Sequence, residues 1–217
     1  MALASIRPPA VAGQFYPGDE RVLRTQLAEM LSTAVALEAA PTPKAIIVPH
    51  AGYIYSGPVA ASAYALLAPL RQTIRRVVML GPTHRVAIRG LALPAAQVFA
   101  TPLGEVPVSR ADWMALQARD DVIVDDRPHA LEHCLEVQLP FLQMILDRFE
   151  IVPLLVGDAP AQDGASVIAQ LWGGPETLIL ISSDLSHYLS YREAQWSDRA
   201  AVEQVLELKT GLDHEQA

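Results

Sequence analysis

Four unbroken aliphatic runs constrain the fold of this chain more than any other feature of its sequence. They are AIIV at 45–48, RRVVML at 75–80, EIVPLLVG at 150–157 and TLILIS at 177–182. Runs of Val, Ile and Leu without polar alternation are typical of strands that are covered on both faces of a sheet. Helical patterns separate them, for example at 20–38 and from Pro58 onward, and this alternation predicts an α/β layered fold. Residues 90–110 alternate weakly, so we expect antiparallel strands there and a mixed, largely parallel central sheet flanked by helices.

Composition narrows the class of protein. The 217 residues suffice for one domain spanning 1–217, and no linker or repeat divides them. A net charge of −8 with scattered carboxylates argues against a nucleic-acid partner. No apolar run approaches the roughly 18 residues of a membrane span, and no signal peptide is evident, so we expect no membrane contact and a cytoplasmic location. Cys134 is the only cysteine and is expected to be a small core residue.

Three of the four aliphatic runs end in polar turns that carry the residues of interest. The first delivers His50, the second His84, and the fourth Asp184 followed by His187. Ligands bind in α/β sheets beyond the carboxyl ends of the strands, so parallel neighbouring strands would bring these side chains to one edge. Neutral imidazole is both the commonest metal ligand and a general base near neutral pH. The pattern therefore predicts a site for a metal ion and proton transfer.

A second group of polar residues lies in HALEHCLEVQ. His129, Glu132, His133 and Glu136 are spaced to share one face of a helix. Pairing and helix capping are the preferred roles for His129 and Glu136. Glu132 and His133 are candidate pocket residues.

The turns after the strands supply further candidate pocket residues. Tyr53 and Tyr55 follow His50 and either line a pocket or pack in the core, and Ser183 precedes Asp184. The segment SSD followed by His187 suggests a serine hydrolase, but residues this close in sequence do not readily form the hydrogen-bonded chain of a catalytic triad. No nucleophile elbow or phosphate-binding glycine loop is present in the sequence.

Six segments together resemble one family. They are RPPAVAGQFYPGD, IIVPHAGYIYSG, VVMLGPTHR, EHCLEVQLPFL, IVPLLVG and SSDLSHY. In this order they resemble the Memo family, whose prokaryotic members are often called AmmeMemoRadiSam system protein B. The resemblance covers nearly the whole chain. It implies a mixed α/β fold like that of class III extradiol ring-cleavage dioxygenases.

The resemblance also implies roles for individual residues. His50 and His84 match the metal-binding histidines, and His187 matches the acid/base histidine with Asp184 beside it. Fe(II) is the implied metal, with copper or zinc as alternatives. The family's third metal-site residue is a cysteine in a CG motif near the C-terminus. The chain ends at LDHEQA, which resembles the segment before that motif, so we expect that it lacks its C-terminal segment and that Cys134 is not the third ligand.

Three functions stay open at this stage. The first is a metal-dependent, dioxygenase-like oxidoreductase acting on a small molecule. The second is a non-catalytic module with a vestigial pocket and no cofactor, which would bind a peptide or a partner such as a radical-SAM enzyme of the same system. The third is a zinc-dependent hydrolase, which is disfavoured because no water-activating carboxylate is obvious.

Overall fold

The computed structural model describes residues 5–34 and 42–208. Two compact units make up the chain, Met1–Ser183 and Asp184–Ala217. The helices of the first unit are α1 Glu20–Ser32, α2 Tyr53–Ala65, α3 Arg110–Leu116, α4 Asp126–Ala130, α5 Leu139–Ile145 and α6 Ala161–Leu171. Its strands are β1 Ile6–Arg7, β2 Ala45–Val48, β3 Arg76–Pro82, β4 Leu91–Leu93, β5 Val98–Thr101, β6 Gly104–Pro107, β7 Val122–Val124, β8 Glu150–Val156 and β9 Thr177–Ser182.

The first unit is built on a six-stranded mixed sheet with the strand order β2-β9-β3-β8-β4-β7. The four strands predicted from the aliphatic runs, β2, β9, β3 and β8, are adjacent and parallel. Strand β4 pairs antiparallel with β8 and parallel with β7. The predicted mixed, largely parallel sheet flanked by helices is therefore confirmed.

Both faces of the central strands β9, β3 and β8 are buried, which explains why these strands lack polar alternation. The edge strand β2 differs from the prediction, because its Ile47 is 53% exposed. Along β3, Val77 and Met79 pack into one hydrophobic cluster, whereas Val78 and Leu80 pack into another on the opposite face. Helices α1, α2 and α5 contribute to the first cluster, and α3 and α6 to the second. Because the central strands meet an apolar layer on each face, they form the rigid platform on which the loops at the sheet edge are held.

A smaller sheet joins the amino-terminal arm to the rest of the first unit. Strand β1 pairs parallel with β5, and β5 forms an antiparallel hairpin with β6. The weak alternation at 90–110 thus corresponds to antiparallel pairing, as predicted. Residue Arg7 of β1 is buried at 5% exposure.

Two helix boundaries differ from the sequence predictions. Helix α2 begins at Tyr53, so Pro58 lies inside it and not at its first position. The earlier start arises because Tyr53 is buried and its N–H donates to the carbonyl of Phe15 (2.8 Å), which places the first turn. Helix α1 ends at Ser32, and the predicted extension over 35–38 lies outside the described residues.

The second unit contains helix α7, Tyr191–Leu206. A capping box begins it, in which Ser190 and Glu193 exchange side-chain and backbone hydrogen bonds. Within the described ranges 5–34 and 42–208, none of the helices combines the length and apolarity that crossing a membrane requires.

Candidate metal centre

The carboxyl edge of the large sheet brings together residues that are distant in sequence. His50 follows β2 by two residues, His84 follows β3 by two residues, and Ser182 is the last residue of β9. Strand β9 lies between β2 and β3, and all three are parallel. The prediction that these strands are parallel neighbours is confirmed, and it explains why His50 and His84 lie side by side.

Three imidazole rings form a compact cluster at this edge. The ring centroids of His50 and His84 are 5.1 Å apart, those of His84 and His133 4.6 Å, and those of His50 and His133 5.5 Å. One ring nitrogen from each histidine lies within 4.8 Å of one from each of the others. His50 is buried at 3% exposure, whereas the side chain of His84 is 37% exposed. The cluster is thus closed on the His50 side and open to solvent at His84.

A buried carboxylate orients His84. Glu132 Oε1 accepts a hydrogen bond from His84 Nδ1 (2.9 Å), and Glu132 Oε2 accepts one from the His84 backbone N–H (2.7 Å). Because an ionised carboxylate only accepts, His84 Nδ1 carries the proton and the ring lone pair lies on Nε2. Such a carboxylate–histidine pair orients a metal-ligating imidazole and increases its basicity.

The hydrogen bonds around Glu132 keep it ionised. Its Oε1 also accepts from the backbone N–H groups of His133 (2.8 Å) and Cys134 (3.0 Å). Burial raises the pKa of the Glu132 carboxyl, but the adjacent ring of His133, the backbone N–H and ring of His84 and the backbone N–H of Cys134 outweigh burial, so the pKa lies well below its usual range. Glu132 therefore holds the loop and His84 as a fixed anion.

Packing holds the third imidazole, that of His133. Its ring lies 4.7 Å from the ring of Phe15, measured between centroids. Its Nδ1 lies 3.1 Å from Glu132 Oε1, yet the alignment is too poor for a hydrogen bond, and Nδ1 has no hydrogen-bond partner among the described residues. The partly buried ring of His133 thus supplies one nitrogen to the cluster.

The segment that carries Glu132 and His133 is not the helix predicted from its spacing. Helix α4 ends at Ala130, and a 3₁₀ turn at Glu136–Gln138 precedes α5, so residues 131–135 are non-helical. The reason is competition for backbone groups. The guanidinium of Arg7 binds the carbonyls of His129 (2.8 Å) and Glu132 (2.6 Å), which would otherwise accept bonds within a helix. The predicted common helical face is therefore wrong.

An ion pair fixes Arg7 in this position. Arg7 Nη1 lies 2.6 Å from Glu136 Oε2, and both side chains are buried. The backbone N–H groups of Ala10 (2.8 Å) and Val11 (3.0 Å) and the hydroxyl of Tyr16 (2.6 Å) also donate to Glu136. The amino-terminal arm is thereby tied to the loop that holds the cluster.

The structure also places the remaining predicted pocket residues of the first unit. Tyr53 is a core residue whose hydroxyl donates to the Val137 carbonyl (2.7 Å). Tyr55 is exposed on the surface of α2. The backbone N–H of Ser183 donates to the Val48 carbonyl (2.9 Å), which continues the pairing of β9 with β2. A substrate-binding role for these residues remains a prediction.

Asp184 and His187 belong to the second unit. His187 Nε2 lies 3.7 Å from Asp184 Oδ2, and the side chain of His187 is 60% exposed. The assignment of His187 and Asp184 as the acid/base pair remains a prediction.

A second possible donor group, formed by His84, Glu132 and Cys134, fits a metal less well. Cys134 is fully buried and its thiol donates to the Pro82 carbonyl (3.1 Å). Burial raises the pKa of this thiol above its ordinary value, and the Glu132 Oε1 of the same group already accepts three hydrogen bonds, so these donors are engaged within the protein. The three-histidine cluster is the better donor set.

Sequence reasoning missed several residues that support the cluster. Phe15 and Arg7 lie in an arm without periodicity, where no pattern indicates a contact with residues 129–136. Ser182 and Gln138 were also missed. The signal for Ser182 is its position at the end of a strand whose neighbours both end near histidines.

The fold and the cluster define a class: an α/β protein with a candidate histidine metal centre at the carboxyl edge of a mixed, largely parallel sheet. The family model described as Memo-like protein matches residues 7–215. A MEMO1 family protein of Nitrosopumilus maritimus is 33% identical, over 94% of this chain and 76% of the relative. A MEMO1 family protein of Sulfurisphaera tokodaii is 35% identical, over 94% of this chain and 77% of the relative. A MEMO1 family protein of Methanopyrus kandleri is 36% identical, over 93% of this chain and 76% of the relative. The chain belongs to the Memo family, which confirms the resemblance carried by its motifs.

Proposed function

We propose that the protein binds one transition-metal ion through His50, His84 and His133. The observation that carries this proposal is the convergence of three imidazoles in which His84 is oriented by the Glu132 carboxylate. Imidazole donors suit iron, copper and zinc, and the resemblance to dioxygenases favours Fe(II). When bound, such an ion supplies Lewis-acid or redox chemistry.

The chain's own residues would divide the remaining tasks. His50 forms the closed side of the site, and the exposed flank of His84 is the side from which a substrate enters. Glu132 keeps a fixed negative charge beside the cluster, which offsets the charge of a cation. The resemblance to the dioxygenases favours His187, with Asp184 beside it, as the residue that would accept or donate a proton in an oxygenase-like reaction on a small catechol-type molecule.

Metal content tests the binding proposal directly. The protein is purified as wild type, His50→Ala, His84→Ala and His133→Ala, and bound Fe, Cu and Zn are measured by mass spectrometry after anaerobic reconstitution. We expect one equivalent in the wild type and a loss of at least tenfold in affinity for each variant, since each removes a donor. His129→Gln, which changes a histidine outside the cluster, serves as the control. Equal metal content in all variants would refute the proposal.

Turnover tests the catalytic part separately. Fe(II)-loaded protein is mixed with catechol under air, and ring cleavage is followed by absorbance. We expect His187→Ala to lose turnover while it retains the metal content of the wild type. No ring cleavage by fully loaded wild-type protein would exclude this reaction.

A second candidate function is a binding module for a peptide or a partner protein. It is favoured by three exposed apolar side chains on α2, the helix that begins three residues after His50, namely Ile54, Tyr55 and Val59. The radical-SAM enzyme of the same system is the partner to test. Binding that persists in metal-free protein and is lost in Tyr55→Ser would favour this function.

A further inference from the structure

A chain of hydrogen bonds leads from the interior of the first unit to His50. His50 Nδ1 lies 3.0 Å from Ser182 Oγ, and the side-chain amide of Gln138 lies 3.0 Å from the same oxygen. The hydroxyl of Tyr64 lies 2.7 Å from Gln138 Oε1, the oxygen of the same amide. All four side chains are buried. Their donors and acceptors can therefore be counted without solvent.

The surroundings of Gln138 determine its orientation. Its Nε2 lies 2.9 Å from the Pro49 carbonyl oxygen, which only accepts hydrogen bonds, so the amino group points toward Pro49 and Ser182. Its Oε1 then accepts from Tyr64, whose pKa is raised well above its ordinary value by burial and whose hydroxyl stays protonated. The two amide protons of Gln138 are donated to Pro49 and to Ser182 Oγ.

The single proton of Ser182 is then also determined. Ser182 Oγ lies 2.7 Å from the Cys134 carbonyl oxygen, which can only accept. Once the hydroxyl has donated there, Ser182 Oγ has only lone pairs to offer, one to Gln138 and one to His50. His50 Nδ1 must therefore be the donor in its contact with Ser182.

We propose that Ser182, oriented by Gln138 and Tyr64, is a positioning residue that holds His50 as the tautomer protonated at Nδ1. The ring lone pair then lies on Nε2, and only this nitrogen can ligate a cation. This inference rests on the proposed metal centre for its functional meaning, although the tautomer itself exists without metal. It also distinguishes the two histidines, because a neutral hydroxyl orients His50 whereas a carboxylate orients His84.

Nitrogen NMR of the metal-free protein tests the tautomer. Long-range proton–nitrogen correlations are recorded on the ¹⁵N-labelled protein at pH 8, above the ordinary imidazole pKa of about 6.5. His50→Gln assigns the His50 signals. We expect Nδ1 of His50 to show the shift of a protonated nitrogen and Nε2 that of an unprotonated one. In Ser182→Ala, this preference should be lost, because the acceptor is gone.

Metal affinity provides the second readout. We expect Ser182→Ala to weaken Co(II) binding by about 10- to 100-fold, the usual effect of removing a group that orients a metal ligand. Ser182→Thr retains the hydroxyl and should restore both the tautomer and the affinity. Ser109→Ala removes another buried serine hydroxyl, one that donates to Asp112, and should change neither.

The outcomes separate this inference from the metal-centre proposal. A wild-type His50 protonated at Nε2 would overturn the inference even if Co(II) binds tightly, and so would an unchanged tautomer in folded Ser182→Ala. A wild-type protein with the expected tautomer and no Co(II) binding would instead refute the metal centre and leave the role of Ser182 standing. The wild-type spectrum decides the tautomer even if Ser182→Ala does not fold.

Discussion

Replacing Glu132 by glutamine changes one charge and almost no volume, and the structure indicates how much this should destabilise the protein. The carboxylate accepts three hydrogen bonds at Oε1 and one at Oε2. An amide has only one oxygen. The glutamine amide loses fewest hydrogen bonds when its oxygen takes the Oε1 position. Its NH₂ group then takes the Oε2 position and faces the backbone N–H of His84, which lies 2.7 Å from Oε2 in the wild type.

The expected magnitude follows from these four bonds. Two donors facing each other in a buried site cost roughly 1–3 kcal/mol. The other three bonds lose their charge assistance, at about 1 kcal/mol each. Glu132→Gln should therefore lower the free energy of unfolding by about 4–6 kcal/mol, a large part of the roughly 5–15 kcal/mol that stabilises a typical domain.

Urea denaturation of the metal-free protein measures this change. Glu105→Gln is the matched control, because it removes the same charge from an exposed residue of β6. At an m-value of about 2 kcal/mol/M in urea, the unfolding midpoint of Glu132→Gln should fall by roughly 2–3 M. The midpoint of the control should stay within about 0.3 M of the wild-type midpoint. A Glu132→Gln midpoint equal to that of the control would refute the hydrogen-bond account of this residue.

The pH dependence gives an independent check of the same reasoning. The pKa of Glu132 is lowered in the folded protein, so its contribution is fully present above the unfolded value of about 4.3 and declines as the pH falls below it. The difference in stability between wild type and Glu132→Gln should therefore be constant from pH 5 to 7 and shrink below pH 4. A difference that grows in acid would contradict the assigned direction.

Three further substitutions test the supports of the site. Arg7→Met leaves the Glu136 carboxylate buried without its cation and should lower the free energy of unfolding by about 3–5 kcal/mol, measured in urea. Burial chiefly lowers the pKa of His129 to about 4, so between pH 6.5 and pH 4 the unfolded chain takes up a proton that the folded chain does not. The free energy of unfolding of the wild type should therefore fall by about 3 kcal/mol over this range. His129→Gln should lack this fall in the same urea measurement. Gly81→Ala would bring a Cβ to 2.7 Å from the Cys134 sulfur and should cost about 1–3 kcal/mol, seen as a lower melting temperature.

Each of these expectations can fail in a recognisable way. Arg7→Met with wild-type stability would mean that the arm contributes nothing to the fold. Parallel pH profiles for wild type and His129→Gln would show that His129 does not titrate differently on folding. An unchanged melting temperature for Gly81→Ala would show that the loop at 134–135 moves aside without penalty.

The sheet could be predicted from the sequence because each of its strands is a local signal. The runs ending before His50 and His84 are apolar without interruption, and such runs are typical of strands covered on both faces. The structure bears this out for β3, whereas β2 lies at the edge of the sheet and its Ile47 is 53% exposed. Parallel order then placed both histidines at one edge. These inferences need only the period of the hydrophobic pattern and the rule that sites lie at the carboxyl edge of the sheet.

The conformation of residues 129–136 could not be predicted in the same way. Its spacing fits a helix, but the helix is interrupted by backbone bonds to Arg7, a residue more than 120 positions earlier. Local periodicity carries no information about such a partner. The same holds for Ser182, whose role depends on the registers of three strands and on the orientation of Gln138.

The long reach of these contacts has a consequence for how the protein folds. The bond between His50 and Ser182 spans 132 positions, and the one between Arg7 and Glu136 spans 129. Closing loops of this length requires chain entropy to be lost before any contact compensates for it, so such contacts form late. We therefore expect substitutions at Ser182 and Arg7 to speed unfolding while leaving the folding rate nearly unchanged. The edge of the sheet that gathers the histidines would then be the last part of the protein to assemble and the first to open.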